Sequence, residues 1–241
     1  MDTQTAVTAK SRGTKTVGAI ILMGAPGSGK GTQAKRIAQV LDIPHLSTGD
    51  LLRQNVSSGT ELGRRAKQVM ESGNLVPDEL VYGMVAERLS QQECAAGSIL
   101  DGFPRTVSQA EWLDSYLEGK CVDEKGRPLA PIVIQLTVEY NSLWQRLSGR
   151  RTCPTCGRIY NIYLQPPRVA GVCDVDGAVL ETRRDDREEV IKERLKAYET
   201  QTLPLVEYYR RRGRLLEVNG DLPPEEVTAE ALKAIQNGHR L

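Results

Sequence analysis

The stretch GAPGSGKGT, Gly24 to Thr32, follows an apolar, β-branched run from Thr16 to Met23 and precedes a helical pattern from Gln33 to Leu41. A run of that kind reads as a buried strand, so the order is strand, glycine loop, helix. Glycines let successive backbone N–H groups turn toward one centre, and those donors with the helix N-terminus bind phosphate oxygens. Lys30 adds a cation able to follow charge onto a phosphoryl group in transfer. The pattern G-x-x-x-x-G-K is met by Gly24, Gly29 and Lys30, but the next residue is Gly31, with Thr32 one place later. The hydroxyl that commonly holds magnesium is therefore displaced. This argues against a GTPase or motor-type ATPase and leaves magnesium mainly to phosphates and water.

Working outward, a short strand ends at Leu46, and Ser47 and Thr48 lead into a helix. Gly97 to Thr106 reads as a second buried strand ending in a turn, Pro131 to Val138 as a third and Arg214 to Gly220 as a fourth. Helical segments separate them, which makes the class α/β with a largely parallel sheet. Two stretches break the rhythm. Ser47 to Val76 is polar and helical, and Gly149 to Asp186 is rich in Gly, Pro and Cys without helical period.

The whole chain sets limits on this reading. Its 241 residues, 39% hydrophobic and 26% charged, suit one large domain with small insertions. A net charge of +1 and few aromatic residues count against a general nucleic-acid binder. The apolar run Val17 to Met23 has seven residues, too few to span a bilayer. Residues 1–16 lack an apolar signal core and read as a tail. Five cysteines, an odd number, with no secretory signal point to a reducing, cytoplasmic compartment, where clustered thiols more often mean metal than disulfide.

Three of those cysteines fall in the second irregular stretch with the spacing C-x2-C-x16-C-x2-D, as Cys153, Cys156, Cys173 and Asp176. The mirrored x2 spacings offer a tetrahedral set for a structural Zn2+, with carboxylate oxygen as the fourth ligand. A disulfide would leave one thiol over, and unrelated thiols would not explain the symmetry. Cys94 and Cys121 lie outside the pattern and read as ordinary packing or surface thiols.

Several blocks occur in a fixed order: GAPGSGKGTQ, HLSTGDLLR, LDGFPRT, SGRRTCPTCGRIYN, TRRDD and VIKERL. In this the chain closely resembles the adenylate kinase family from Ile20 to about Leu232, including long-lid members with a Cys/Cys/Cys/Asp site. The resemblance implies a P-loop NTPase fold, a parallel sheet flanked by helices, with two inserted subdomains. An AMP-binding subdomain would span 47–76 and a zinc-bearing lid 149–186; the core would comprise 17–46, 77–148 and 187–241.

The implied reaction is phosphoryl transfer from MgATP to AMP, giving two ADP. The acceptor oxygen is already ionised at neutral pH, so positioning and charge stabilisation suffice without a general base. The resemblance makes Lys30, Arg105, Arg150, Arg183 and Arg194 the catalytic set. It assigns ATP to Gly27, Ser28, Gly29, Lys30, Gly31, Thr32, Arg146 and Arg150, with adenine against Ile159, Tyr160 and the backbone from Gly220 to Leu222. AMP would meet Thr48, Arg53, Asn74, Leu75, Val76, Gly102, Phe103, Pro104, Arg105, Gln109, Arg183 and Arg194. Asp101 would order magnesium-bound water, with Asp185 in support. The expected partners are ATP, AMP and ADP, acting on a monomer without nucleic acid or membrane.

Two other readings compete. A UMP/CMP or other nucleoside-monophosphate kinase would share the phosphate machinery, but such relatives usually have a short lid. A nucleotide-regulated zinc-ribbon module would use Cys153 to Asp176 beside the arginine runs, against which stands the near-zero net charge. The stretch Cys121 to Pro131 reads as a surface loop insertion.

Overall fold

The computed structural model describes residues 16–122 and 125–238. The expected tail over residues 1–16 therefore lies, apart from Thr16, outside the described residues.

The first half of the chain forms β1 (Gly18–Gly24), α1 (Lys30–Leu41), β2 (His45–Ser47), α2 (Thr48–Ser57), α3 (Glu61–Glu71), α4 (Asp78–Leu89), β3 (Gly97–Asp101) and α5 (Val107–Leu117). The second half forms β4 (Ile132–Thr137), α6 (Tyr140–Ser148), β5 (Arg150–Thr152), β6 (Ile159–Asn161), α7 (Glu188–Ala197), α8 (Pro204–Arg211), β7 (Leu215–Asn219) and α9 (Pro224–Gly238). Five strands make one sheet in the order β2-β3-β1-β4-β7, every pair parallel.

β1 shows why the sheet is covered on both faces. Side chains alternate along a strand, and in β1 all seven positions are buried. Ala19, Ile21 and Met23 face one core with Val81 and Val85 of α4, Leu113 of α5 and Leu205 of α8. Ile20 and Leu22 face the other, with Ala34 and Ile37 of α1 and Ala231 and Ile235 of α9. A parallel sheet requires helices on both faces, and the continuous apolar run is its sequence counterpart.

One boundary differs from the expected one. α1 starts at Lys30 rather than Gln33, because its first turn projects polar groups and the buried stripe begins only at Gln33 and Ala34. β3 stops at Asp101 and the expected turn takes up the rest of that stretch: Gly102 takes a φ of 81° and Pro104 has no N–H for a ladder.

The carboxyl ends of the strands all release their loops on one side: Gly24 into the glycine loop, Ser47 into α2, Asp101 into Gly102–Arg105 and Asn219 into Gly220–Leu222. Ligand sites in open α/β sheets form at that edge. Two excursions border it. α2 and α3 pack on each other. Beyond α6, β5 and β6 form a small antiparallel pair, and the segment's own core is only Cys153, Tyr160, Cys173 and Leu180 with Ala178 against them. In the 121–131 loop, Val122 bridges Pro128 and the Leu129 N–H donates to the Cys121 carbonyl at 2.8 Å.

Candidate active site

The glycine loop meets a close-packed floor. Gly27 has a φ of 86°, and a Cβ there would lie 2.9 Å from Leu147 Cγ and 3.1 Å from the Leu143 carbonyl oxygen. No other residue fits this turn without displacing α6. Gly31 has a separate reason: a Cβ would come within 3.2 Å of Asp101 Oδ2, so the departure from the commoner Ser/Thr makes room for that carboxylate. Ser28 is buried, and the Lys30 ammonium folds back to donate to the carbonyls of Gly24 at 2.7 Å and Ala25 at 2.9 Å. Burial, partly offset by Asp101 and reinforced by Arg105, Arg194 and Arg150, brings the Lys30 pKa down to about 7.

Opposite the loop stands a cluster of arginines around two aspartates. Asp186 has no exposed side-chain surface and receives Arg150 on both oxygens, with Nε at 2.7 Å. Arg194 Nη1 reaches the same carboxylate at 2.9 Å and Asp185 Oδ2 at 3.1 Å. Arg183 Nε donates to Thr152 Oγ1 at 3.1 Å, which ties the chain after the small hairpin to its first strand. Arg105 Nε donates to the Gly102 carbonyl at 2.8 Å, and Arg53 pairs with Asp50 at 2.5 Å. Burial and mutual repulsion lower the Arg105 and Arg183 pKa values to about 10. Burial alone would raise Asp185, yet Arg194, Arg53, Arg150 and Arg183 hold it below the ordinary carboxylate range. The region carries more cationic charge than its aspartates balance, and a polyanion would supply the remainder.

Two clefts open on this cluster. The larger, about 1110 Å³, runs from the glycine loop past Arg146, Ile159 and Tyr160 to Leu222. The smaller, about 80 Å³, lies between α2, α3 and the chain around Gly73, lined by Thr48, Asn74, Leu75, Val76 and Gln109. Arg53, Arg105 and Arg194 line both.

Within these clefts the expected residues do not all present side chains. Phe103 is 1% exposed and stacks edge-on against Tyr82 and Trp112, so it faces the core. Thr48 turns its hydroxyl to the Gly102 carbonyl at 2.9 Å. Gly102 and Pro104 border the larger cleft. Arg146 is engaged with the Gly220 carbonyl at 2.9 Å and Asp221 at 3.4 Å. The Tyr160 hydroxyl accepts from the Asp174 N–H at 2.8 Å and reaches Cys173 Sγ at 3.5 Å, anchoring that wall to the cysteines.

Cys153, Cys156, Cys173 and Asp176 offer one ligand atom each, all within 4.8 Å of one another. Cys156 Sγ lies 3.6 Å from Cys173 Sγ, and Cys153 Sγ lies 3.2 Å from Asp176 Oδ2. Thiolates about 2.3 Å from a tetrahedral ion stand about 3.8 Å apart, so this set fits one metal ion and not a disulfide. Asp101 faces the loop across Gly31, with His45 Nε2 3.4 Å away and not aligned for a hydrogen bond.

Sequence reasoning missed two aspartates. Asp186 sits in the quoted TRRDD block, but its bond to Arg150 crosses 36 residues and no local pattern announces it. Asp78 opens α4, and its carboxylate accepts from Gln109 Nε2 at 2.6 Å and Ser108 Oγ at 2.7 Å, partners about 30 residues away that no local pattern announces.

The adenylate kinase family model matches residues 22–214. A protein named adenylate kinase from Thermodesulfovibrio yellowstonii is 50% identical over 208 residues, 86% of this chain and 94% of that one. Adenylate kinases from Caldicellulosiruptor bescii and Caldanaerobacter subterraneus are 46% and 45% identical, covering 90% and 92% of this chain and 98% and 97% of theirs. With a match of that length running from the glycine loop through the arginine cluster to the last strand, the chain belongs to the adenylate kinase family.

Proposed function

We propose that this chain catalyses ATP + AMP ⇌ 2 ADP, with ATP in the larger cleft, AMP in the smaller and the transferred group passing between them at Arg53, Arg105 and Arg194. The observation that carries this reading is the wall of arginines common to two clefts of different size. Two polyanions repel, and cations reachable from both sides offset that repulsion where the phosphates meet.

On the ATP side, backbone donors of Gly27, Ser28, Gly29, Gly31 and Thr32 would hold the β-phosphate region. Lys30 would leave the Gly24 and Ala25 carbonyls to follow the transferring group. Arg146 and Arg150 would add charge from α6 and β5, and the base would rest against Ile159, Tyr160 and Leu222. AMP would bind through Arg53, Arg105, Arg183 and Arg194 at the phosphate. Thr48, Asn74, Leu75, Val76, Gly102, Phe103 and Pro104 would shape its pocket, chiefly through backbone for the last three, and Gln109 would face the base. The acceptor oxygen needs no base, so in-line positioning and charge complementarity supply the catalysis.

Magnesium bound with ATP neutralises phosphate charge, and Asp101 is the residue that would hold it through water. A Zn2+ at Cys153, Cys156, Cys173 and Asp176 would fasten a segment whose own core is four side chains. The segment 149–186 is then a lid, 47–76 an AMP-binding subdomain, and closure of both over the clefts excludes water from the γ-phosphate. No described helix is long and apolar enough to cross a membrane; a cytoplasmic monomer acting on free nucleotides, apart from nucleic acid and membranes, is the reading we adopt.

A coupled assay with AMP, GMP, CMP and UMP as acceptors tests it. AMP preference supports the proposal, and preference for a pyrimidine acceptor replaces it with the UMP/CMP reading.

A further inference from the structure

Gln109 is 2% exposed, and both ends of its amide are already bonded. Its Oε1 accepts from the Arg105 backbone N–H at 2.7 Å, and its Nε2 donates to Asp78 Oδ1 at 2.6 Å. These partners allow one orientation. A backbone N–H can only donate and an ionised carboxylate can only accept. An inverted amide would set oxygen against oxygen at Asp78 and N–H against N–H at Arg105. Two hydrogen bonds would be lost in a buried place.

Asp78 is itself held. Its Oδ2 accepts from Ser108 Oγ at 2.7 Å and from the Tyr82 hydroxyl at 3.2 Å. It therefore joins the start of α4 to the start of α5, beneath the smaller cleft that Gln109 lines.

After these two bonds the Gln109 amide retains one acceptor lone pair on Oε1 and one N–H on Nε2. Adenine presents a six-amino donor beside a ring-nitrogen acceptor, which matches that pair in the orientation found. Hypoxanthine and guanine present a six-carbonyl acceptor and an N1–H donor, which match only the inverted amide. We propose that Asp78 is a specificity-determining positioning residue: by fixing the Gln109 amide against inversion, it makes the acceptor site select a six-amino purine over a six-oxo purine.

This rests on the reading of Gln109 as facing the acceptor base, and the test separates the two. Kinetics are measured with AMP and with inosine monophosphate for wild type, Asp78→Asn, Ser108→Ala and Gln109→Leu, with thermal melts of each. An asparagine can donate or accept, so one of the two constraints on the amide is lifted while the shape is kept. The preference for AMP, as the ratio of kcat/KM values, is expected to fall about tenfold in Asp78→Asn, the scale of one charge-assisted hydrogen bond. The change should sit in the KM values of the two acceptors, with the KM for ATP within about twofold of wild type. Ser108→Ala perturbs the same junction without touching the Asp78–Gln109 bond and should keep the preference. Gln109→Leu should raise the KM for AMP; if it does not, Gln109 does not face the base and that reading fails. If Gln109→Leu raises that KM while Asp78→Asn keeps the wild-type preference, the positioning role of Asp78 is overturned. Should Asp78→Asn not fold, Asp78→Ser lifts the same constraint with less bulk, and the same two outcomes apply.

Discussion

The Lys30 ammonium donates to the Gly24 carbonyl oxygen 2.7 Å away, so the loop's only lysine is bound to the loop itself. Its pKa of about 7 lies below the ordinary lysine value of 10.5. Between those values the unfolded chain holds the proton more tightly than the folded one. This group therefore makes stability without nucleotide rise with pH across that window. A bound polyphosphate reverses the balance by favouring the charged form. Binding of a bisubstrate nucleotide at about pH 8 is expected to take up protons. Calorimetry in buffers of different ionisation enthalpy measures the uptake, which Lys30→Met should abolish together with nearly all turnover.

The Asp186 carboxylate offsets two arginines with no exposed surface of its own. Asp186→Ala should lower stability by about 3 kcal/mol, since buried Arg150 would lose its paired carboxylate and Arg194 would keep only Asp185. Urea unfolding checks the magnitude. Saturating nucleotide should recover more stability in the variant than in wild type, because phosphate restores the missing negative charge.

Cys153→Ser removes one thiol from the four-residue cluster. Bound zinc, measured by elemental analysis, should fall from one equivalent per chain. The melting temperature should fall by roughly 4–8 °C, equivalent to about 2 kcal/mol for a chain of this length. Turnover at saturating substrate should change far less. If the metal-free variant melts with wild type, the cluster is not a structural metal site.

Gly27→Ala combines a φ of 86° with a Cβ contact of 2.9 Å to Leu147. The strain costs about 1–2 kcal/mol before any repacking. The KM for ATP should rise, with a smaller effect on the KM for AMP, because the displaced backbone borders the larger cleft alone. Steady-state kinetics with each substrate varied in turn distinguishes the two.

What the sequence revealed follows from how local its signals are. The glycine loop, each buried strand and each close cysteine pair are patterns within a few residues, and they sit where the periodicity and spacing indicated. Asp186 was not legible, because its meaning is a bond to Arg150 across 36 positions. Phe103 belonged to a motif whose neighbours face the clefts, yet packing against Tyr82 and Trp112 turns its ring into the core. Gln109 could be read as a donor and acceptor in one side chain. Which end points which way depends on Asp78, 31 residues earlier. The start of α1 shifted for a related reason: its first turn is polar, and apolar periodicity cannot mark it.

Arg53, Arg105 and Arg194 front both clefts. On the proposed reading, a group passing between the clefts leaves and arrives under the same three charges. Such a site has no built-in direction. It brings a nucleotide pool to balance from whichever side is in excess, and the cell's own ratios decide which way each turnover runs.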